Sequence, residues 1–123
     1  MRILAADDEA DVRLLLQLAL GMSPNVSFTI VSSGREAVDR ALVEPYDLIV
    51  LDGMMPELDG AATCRLLKND PRTADVPVVF LTALTSESAR DELRAAGAAG
   101  FVAKPFDPFH ILAELAAFAR RPS

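Results

Sequence analysis

Five short apolar runs alternate along the chain with five longer stretches of helical character. The runs are RILAA (2–6), FTIVS from Phe28, LIVL (48–51), VVFL (78–81) and GFVA (100–103). Each is too short for a helix and is bounded by polar residues, Gly or Pro, the pattern of a strand buried on both faces. VRLLLQLALGM has helical length and stops at Gly21, Ser23 and Pro24. Its leucines at 14, 15, 16, 18 and 20 are more than one face needs, so some are expected to stay exposed, as scattered surface leucine or as a docking surface. REAVDRALVE carries Ala37, Val38, Ala41 and Leu42 at helical spacing before Pro45. AATCRLLKND predicts a short helix with Leu66 and Leu67 turned inward and Cys64 packed, ended by Asn69, Asp70 and Pro71. Pro77 opens the fourth strand. SESARDELRAAG predicts a mostly polar helix capped by Ser86 and stopped by Gly97, docked loosely by a weak apolar face. DPFHILAELAAFARR closes the chain, with Asp107 as expected cap, Pro108 at the first helical position and Phe109, Leu112, Leu115 and Ala116 as core stripe.

Strands alternating with helices imply a parallel sheet covered on both faces. At this length the expected fold is α/β, flavodoxin-like and doubly wound, a (βα)5 unit with strand order 2-1-3-4-5. Ligands of such sheets bind beyond the carboxyl ends of the strands, at the switch point between the first and third. Asp7 and Asp8 follow the first strand there, and Asp52 ends the third. Gly53, Pro56 and Gly60 break regular structure after Asp52, and Glu57 and Asp59 keep that loop polar. An acid in that position is a nucleophile, a metal ligand or both.

Composition narrows the field further. A chain of 123 residues is read as one domain, spanning residues 1–123, with enough length to bury a core unaided. A net charge of −6 argues against direct nucleic-acid binding. The single Cys64 excludes an internal disulfide and fits a reducing compartment. No segment approaches a signal peptide or a membrane span, so a soluble, cytoplasmic location is expected.

Three converging carboxylates repel one another unless a cation holds them. Oxygen ligands without nearby His or Cys select a hard ion such as Mg²⁺. The fourth strand adds the hydroxyl of Thr82 and the fifth the ammonium of Lys104. A hydroxyl, a lysine and a divalent ion around one carboxylate are what an incoming phosphoryl group requires, the implied product being an aspartyl phosphate at Asp52.

Asp7 and Asp8, Asp52 of LIVLDGMMPELDG, Thr82 and Ala83 of VVFLTA, and Lys104 and Pro105 of GFVAKPF together resemble the receiver domain of two-component response regulators. The resemblance covers essentially the whole chain, and it is the ordered set at successive strand ends that makes it specific. It implies that Asp52 accepts phosphate from a sensor histidine kinase or a histidine phosphotransfer protein. It implies Mg²⁺ held by Asp8 directly, by Asp7 mainly through water, by Asp52 and by the backbone carbonyl of Met54. Thr82, the amide of Ala83 and Lys104 would bind phosphoryl oxygens. Lys104–Pro105 would be a cis peptide, and Phe101 the switch aromatic that turns inward as Thr82 moves. The face of the fourth helix, fifth strand and fifth helix would be the output surface for a downstream protein, with few anchors among Ala95, Ala96, Ala98 and Ala99. The donor would dock near the first helix and the fifth-strand loop.

Met54 and Leu84 have no side-chain group to orient an attacking water, so slow self-dephosphorylation is expected, although Met54 equally suits plain packing. His110 is read as a surface or packed residue. The chain is expected to lack an output domain, leaving a stand-alone regulator, a phosphorelay intermediate or a receiver cut from a larger protein, and either a monomer or a phosphorylation-dependent dimer. The competing classes are an aspartate-nucleophile phosphatase, disfavoured by adjacent rather than alternate acids after the first strand, and a phosphate-independent interaction domain.

Overall fold

The structure is a computed structural model that describes residues 1–53, 59–83 and 86–119. Its elements are β1 (Arg2–Ala6), α1 (Ala10–Gly21), β2 (Ser27–Val31), α2 (Gly34–Val43), β3 (Leu48–Asp52), α3 (Gly60–Asn69), β4 (Val78–Thr82), α4 (Glu87–Ala95), β5 (Gly100–Ala103) and α5 (Ile111–Ala116). The strands form one parallel sheet in the order β2-β1-β3-β4-β5, as the alternation predicts. Register brings Ala6 beside Leu51, Asp52 beside Leu81 and Thr82 beside Ala103, so the residues that follow these strands emerge at one edge.

The period-2 alternation of strands divides the apolar residues between two layers. Leu4, Ile49, Leu51 and Phe80 face Ala37, Val38, Cys64, Leu67 and Leu93 of α2, α3 and α4. Ile3, Ala5, Val50 and Leu81 face Leu16 and Leu20 of α1 and Ile111 and Leu115 of α5. β3 and β4 are buried along their whole length, and each fully buried Leu or Ile contributes about 1.5–3 kcal/mol. α4 buries only Leu93 of its own span, in keeping with its polar sequence.

Two expectations about helix phase are corrected. Leu67 is buried at 1% exposure but Leu66 points outward at 42%. At 100° per residue, Ala61, Cys64 and Leu67 share the face that meets the sheet, and Leu66 lies roughly opposite it. In the last helix, Phe109 is 79% exposed while Ile111 and Leu115 are fully buried. The stripe is therefore Ile111, Leu115 and the partly buried Leu112 and Phe118, with Phe109 and Ala116 outside it. Asp107 and Pro108 precede the regular helix. The Asp107 carboxylate accepts from the Phe109 N–H at 2.8 Å, and its carbonyl accepts from His110 and Ile111 at 3.0 and 2.9 Å, making a turn that leads into the helix at Ile111.

Beyond α3, Asp70 accepts both the Arg72 guanidinium, at 2.7 and 3.0 Å, and the Arg72 N–H at 2.8 Å. These bonds hold its carboxyl well below the ordinary 3.8, at about 2. A lowered folded pKa means that this pair stabilises the turn above about pH 4 and loses that effect as pH falls through about 2. A carboxyl NMR titration should place the Asp70 midpoint near 2 in the native chain and return it toward 3.8 in Arg72→Ala. An unchanged midpoint would sink the assignment.

Candidate functional site

The edge where β1, β3, β4 and β5 end gathers the residues singled out from the sequence. The Asp7 N–H bonds the Val31 carbonyl at 3.2 Å, extending the β1–β2 pairing by one residue. Its Oδ1 accepts the Glu9 N–H at 2.9 Å, and the Arg13 guanidinium donates to its carbonyl at 2.9 Å. Asp7 is thereby fixed at 0% exposure, with Asp52 and Thr82 each at 5%.

Lys104 arrives from the end of β5, where its N–H bonds the Thr82 carbonyl at 3.0 Å and its peptide to Pro105 is cis. Its ammonium lies 2.9 Å from Asp7 Oδ2, 3.3 Å from Asp52 Oδ1 and 3.5 Å from Glu9 Oε1. Burial pulls the Lys104 pKa down, but the hydrogen bond to Asp7 and the charges of Asp52 and Asp7 outweigh it and hold the ammonium above its ordinary value. Beyond this ion pair, no described residue gives the sealed Asp7 Oδ2 a hydrogen bond that fills its remaining lone-pair capacity.

Carboxylate oxygens of Asp7, Asp8, Glu9 and Asp52 all lie within 4.8 Å of one another. Glu9 is the member the sequence reading left out. It occupies the N-cap of α1, where Glu is a poor capping residue, and its side chain makes no capping bond. A third acid directly after the pair was the available signal.

Asp52 is set against α3 by a close approach. A Cβ on Gly60 would meet the Asp52 carbonyl at 2.6 Å, Phe80 at 2.7 Å and the Gly53 Cα at 3.0 Å. The Asp59 carboxylate caps that helix, accepting the Ala62 N–H at 2.8 Å, an interaction worth about 1 kcal/mol.

Ala83 is exposed just past Thr82. It joins Glu9, Val12, Leu15, Lys104, Pro105 and Phe106 around a cavity of about 280 Å³ beside the acidic cluster. On α1, Leu14, Leu15 and Leu18 are 57%, 40% and 58% exposed, the surplus leucines the sequence implied. The Phe101 ring is half-buried, with the Arg94 guanidinium 5.2 Å from its centroid; Arg94 is held by Asp91 at 2.9 Å and Glu87 at 3.7 Å. His110 is an exposed residue whose Nδ1 lies 2.7 Å from Asp107 Oδ2. Met54 and Leu84, named for the metal carbonyl and the dephosphorylation rate, lie outside the described residues.

The family model of the response regulator receiver domain matches residues 3–116, and the chain belongs to that family, a class of signalling switch in two-component systems. Among curated relatives it is 37% identical over 122 residues to the transcriptional regulatory protein ResD of Bacillus subtilis, covering 99% of this chain and 49% of that protein. It is 39% identical over 120 residues to the response regulator PleD of Caulobacter vibrioides, covering 97% of this chain and 26% of that one. The chain thus spans half or less of the length of these relatives. Among solved structures, the chemotaxis protein CheY4 of Vibrio cholerae superposes with a TM-score of 0.89 at 28% identity, over 95% of this chain and 97% of that one. The receiver domain of sensor histidine kinase PA1611 of Pseudomonas aeruginosa has a TM-score of 0.80 at 28% identity over 95% of each chain, and is described with a magnesium ion coordinated in its active site cleft. Among the described residues of this chain, no helix is long and apolar enough to cross a membrane.

Proposed function

We propose that this chain is a phosphorylation-activated switch whose Asp52 accepts a phosphoryl group from a sensor histidine kinase or a histidine phosphotransfer protein. The observation that carries the reading is Lys104, whose ammonium reaches both buried acids, Asp7 and Asp52, at the switch point of the sheet. Mg²⁺ fits the residues present. The donor set is all oxygen, and the buried Asp7 Oδ2, paired with Lys104, has further lone-pair capacity that no other described residue uses. Asp7, Asp8, Asp52 and the Met54 carbonyl would hold the ion, which when bound supplies charge neutralisation for phosphoryl oxygens.

The remaining work falls to the chain itself. An Asp52 oxygen attacks phosphorus as the bond from phosphorus to the donor nitrogen breaks, and the ring, protonated at its other nitrogen, leaves with that electron pair as neutral imidazole. Lys104, already among carboxylates, turns to the new anionic oxygens, joined by the Thr82 hydroxyl and the Ala83 N–H. Movement of Thr82 makes room for Phe101, and the exchange of states reshapes the face of α4, β5 and α5 for a downstream protein. A phosphoryl group favours only the state that contacts it better. The donor docks on the exposed leucines of α1 and the cavity beside Pro105. We place the domain in the cytoplasm, as a monomer or a phosphorylation-dependent dimer, and its acidic charge leaves any nucleic-acid contact to other parts of a longer regulator.

Incubation with Mg²⁺ and acetyl phosphate, followed by intact mass, tests the reading. One phosphoryl group should be gained, only with Mg²⁺, and none in Asp52→Ala. A gain that persists in Asp52→Ala would refute it. The same label should decay more slowly than in a Met54→Asn, Leu84→Glu variant, which has groups able to orient water; faster decay would count against the proposed slow dephosphorylation.

A further inference from the structure

We propose that Glu9 sets the choice of phosphodonor, favouring donors whose leaving group carries a protonated nitrogen over anionic acyl phosphates. This deepens, and rests on, the reading of Asp52 as phosphoacceptor. Three observations place Glu9 in that role. Its side chain forgoes the capping bond its position offers and stands 3.5 Å from the Lys104 ammonium. It is 62% exposed where Asp7 is sealed, so with the exposed Asp8 it forms the outer rim of the acidic cluster. Among the described residues it is also the one carboxylate lining the cavity beside Lys104, among mostly apolar walls that include Leu15, Pro105 and Phe106.

In an in-line transfer the leaving group departs on the side of phosphorus opposite Asp52, toward the open rim. With acetyl phosphate, the P–O bond breaks and acetate leaves with the electron pair, so negative charge builds on an oxygen near the Glu9 carboxylate. With phosphoramidate, whose nitrogen is protonated at neutral pH, the P–N bond breaks and neutral ammonia leaves, so the positive charge that Glu9 attracts is present on binding and is only partly lost in the transition state. Phosphohistidine, whose leaving nitrogen bears no proton, resembles phosphoramidate when its other ring nitrogen is protonated, because the leaving ring then carries the positive charge. Both small donors present the same phosphoryl group to Asp52, Thr82 and Lys104, so only the leaving-group side distinguishes them. One charge a few ångströms away at a partly exposed rim changes such a ratio roughly three- to tenfold.

The test compares phosphorylation rates of the full chain with phosphoramidate and with acetyl phosphate at saturating Mg²⁺, in the native protein, Glu9→Gln, Glu9→Lys and Asp52→Asn, with Mg²⁺ affinity measured by calorimetry. Glu9→Gln should lower the phosphoramidate-to-acetyl phosphate rate ratio by about three- to tenfold, Glu9→Lys should lower it further, and high salt should narrow the differences. A ratio that stays within about twofold while both rates or the Mg²⁺ affinity change would make Glu9 a metal-binding or structural residue and overturn the inference alone. Labelling that survives in Asp52→Asn, or its absence in the native chain with both donors, would instead remove the phosphoacceptor reading and the inference with it.

Discussion

Lys104→Ala should be less stable than the native chain by about 2–4 kcal/mol in Mg²⁺-free buffer, and Mg²⁺ should restore much of the difference. Asp7 and Asp52 are buried at 0% and 5% exposure, and the Lys104 ammonium lies within 4 Å of both. Removing one partner of a buried ion pair leaves the other charge uncompensated, the costly way to disturb such a site. Against a total stability of about 5–15 kcal/mol for a domain, the loss should be plain in a urea melt. A divalent ion among the same oxygens replaces the missing charge, so Mg²⁺ should stabilise the variant more than the native chain. Phosphorylation should fall about a hundredfold or more, because charge that forms on the phosphoryl oxygens loses its fixed counter-charge. Lys104→Arg should recover stability better than rate, since a planar fork restores charge without the compact geometry of an ammonium. A Lys104→Ala protein as stable as the native one without Mg²⁺ would show that the acids tolerate their crowding unaided.

Gly60→Ala should be nearly as disruptive through packing alone. Two of the three atoms a new Cβ would strike are backbone, the Asp52 carbonyl at 2.6 Å and the Gly53 Cα at 3.0 Å, and neither can rotate away. α3 must shift from the sheet or β3 must shift beneath it. Overpacking of this kind costs about 1–3 kcal/mol or more. The displaced residue is the proposed phosphoacceptor, so the labelling rate should drop roughly tenfold or more, as misplacement by a fraction of an ångström is costly at a reacting centre. Gly21→Ala is the matched control. Its nearest contact would be the Phe28 ring at 3.9 Å, and alanine favours the helix that Gly21 ends. Equal melting temperatures and labelling rates for the two variants would remove the close-approach argument.

The strand order and most of the site were legible because this fold converts position along the chain into position in space. Asp7, Asp52, Thr82 and Lys104 stand at or just past strand ends. Once the alternation implied a parallel sheet, those ends had to meet on one edge. Helix phase was not legible in the same way. Leu66 and Leu67 are adjacent and alike, as are the apolar residues around Phe109 and Ile111, so composition alone cannot say which of each set faces the sheet.

What the sequence by itself determined is therefore the fold, the edge at which the acids and Lys104 gather and the principal groups that meet there. These follow from apolar runs, their alternation with helices and residue types at run ends, all local properties of the chain. Only the tertiary structure decided that Glu9 leans toward Lys104 rather than capping α1, that Arg94 covers Phe101, and that Gly60 has no room for a methyl group. Each of these is a contact between side chains or backbones of different elements. Their distances are set by how helices seat on a twisted sheet, which no local pattern encodes.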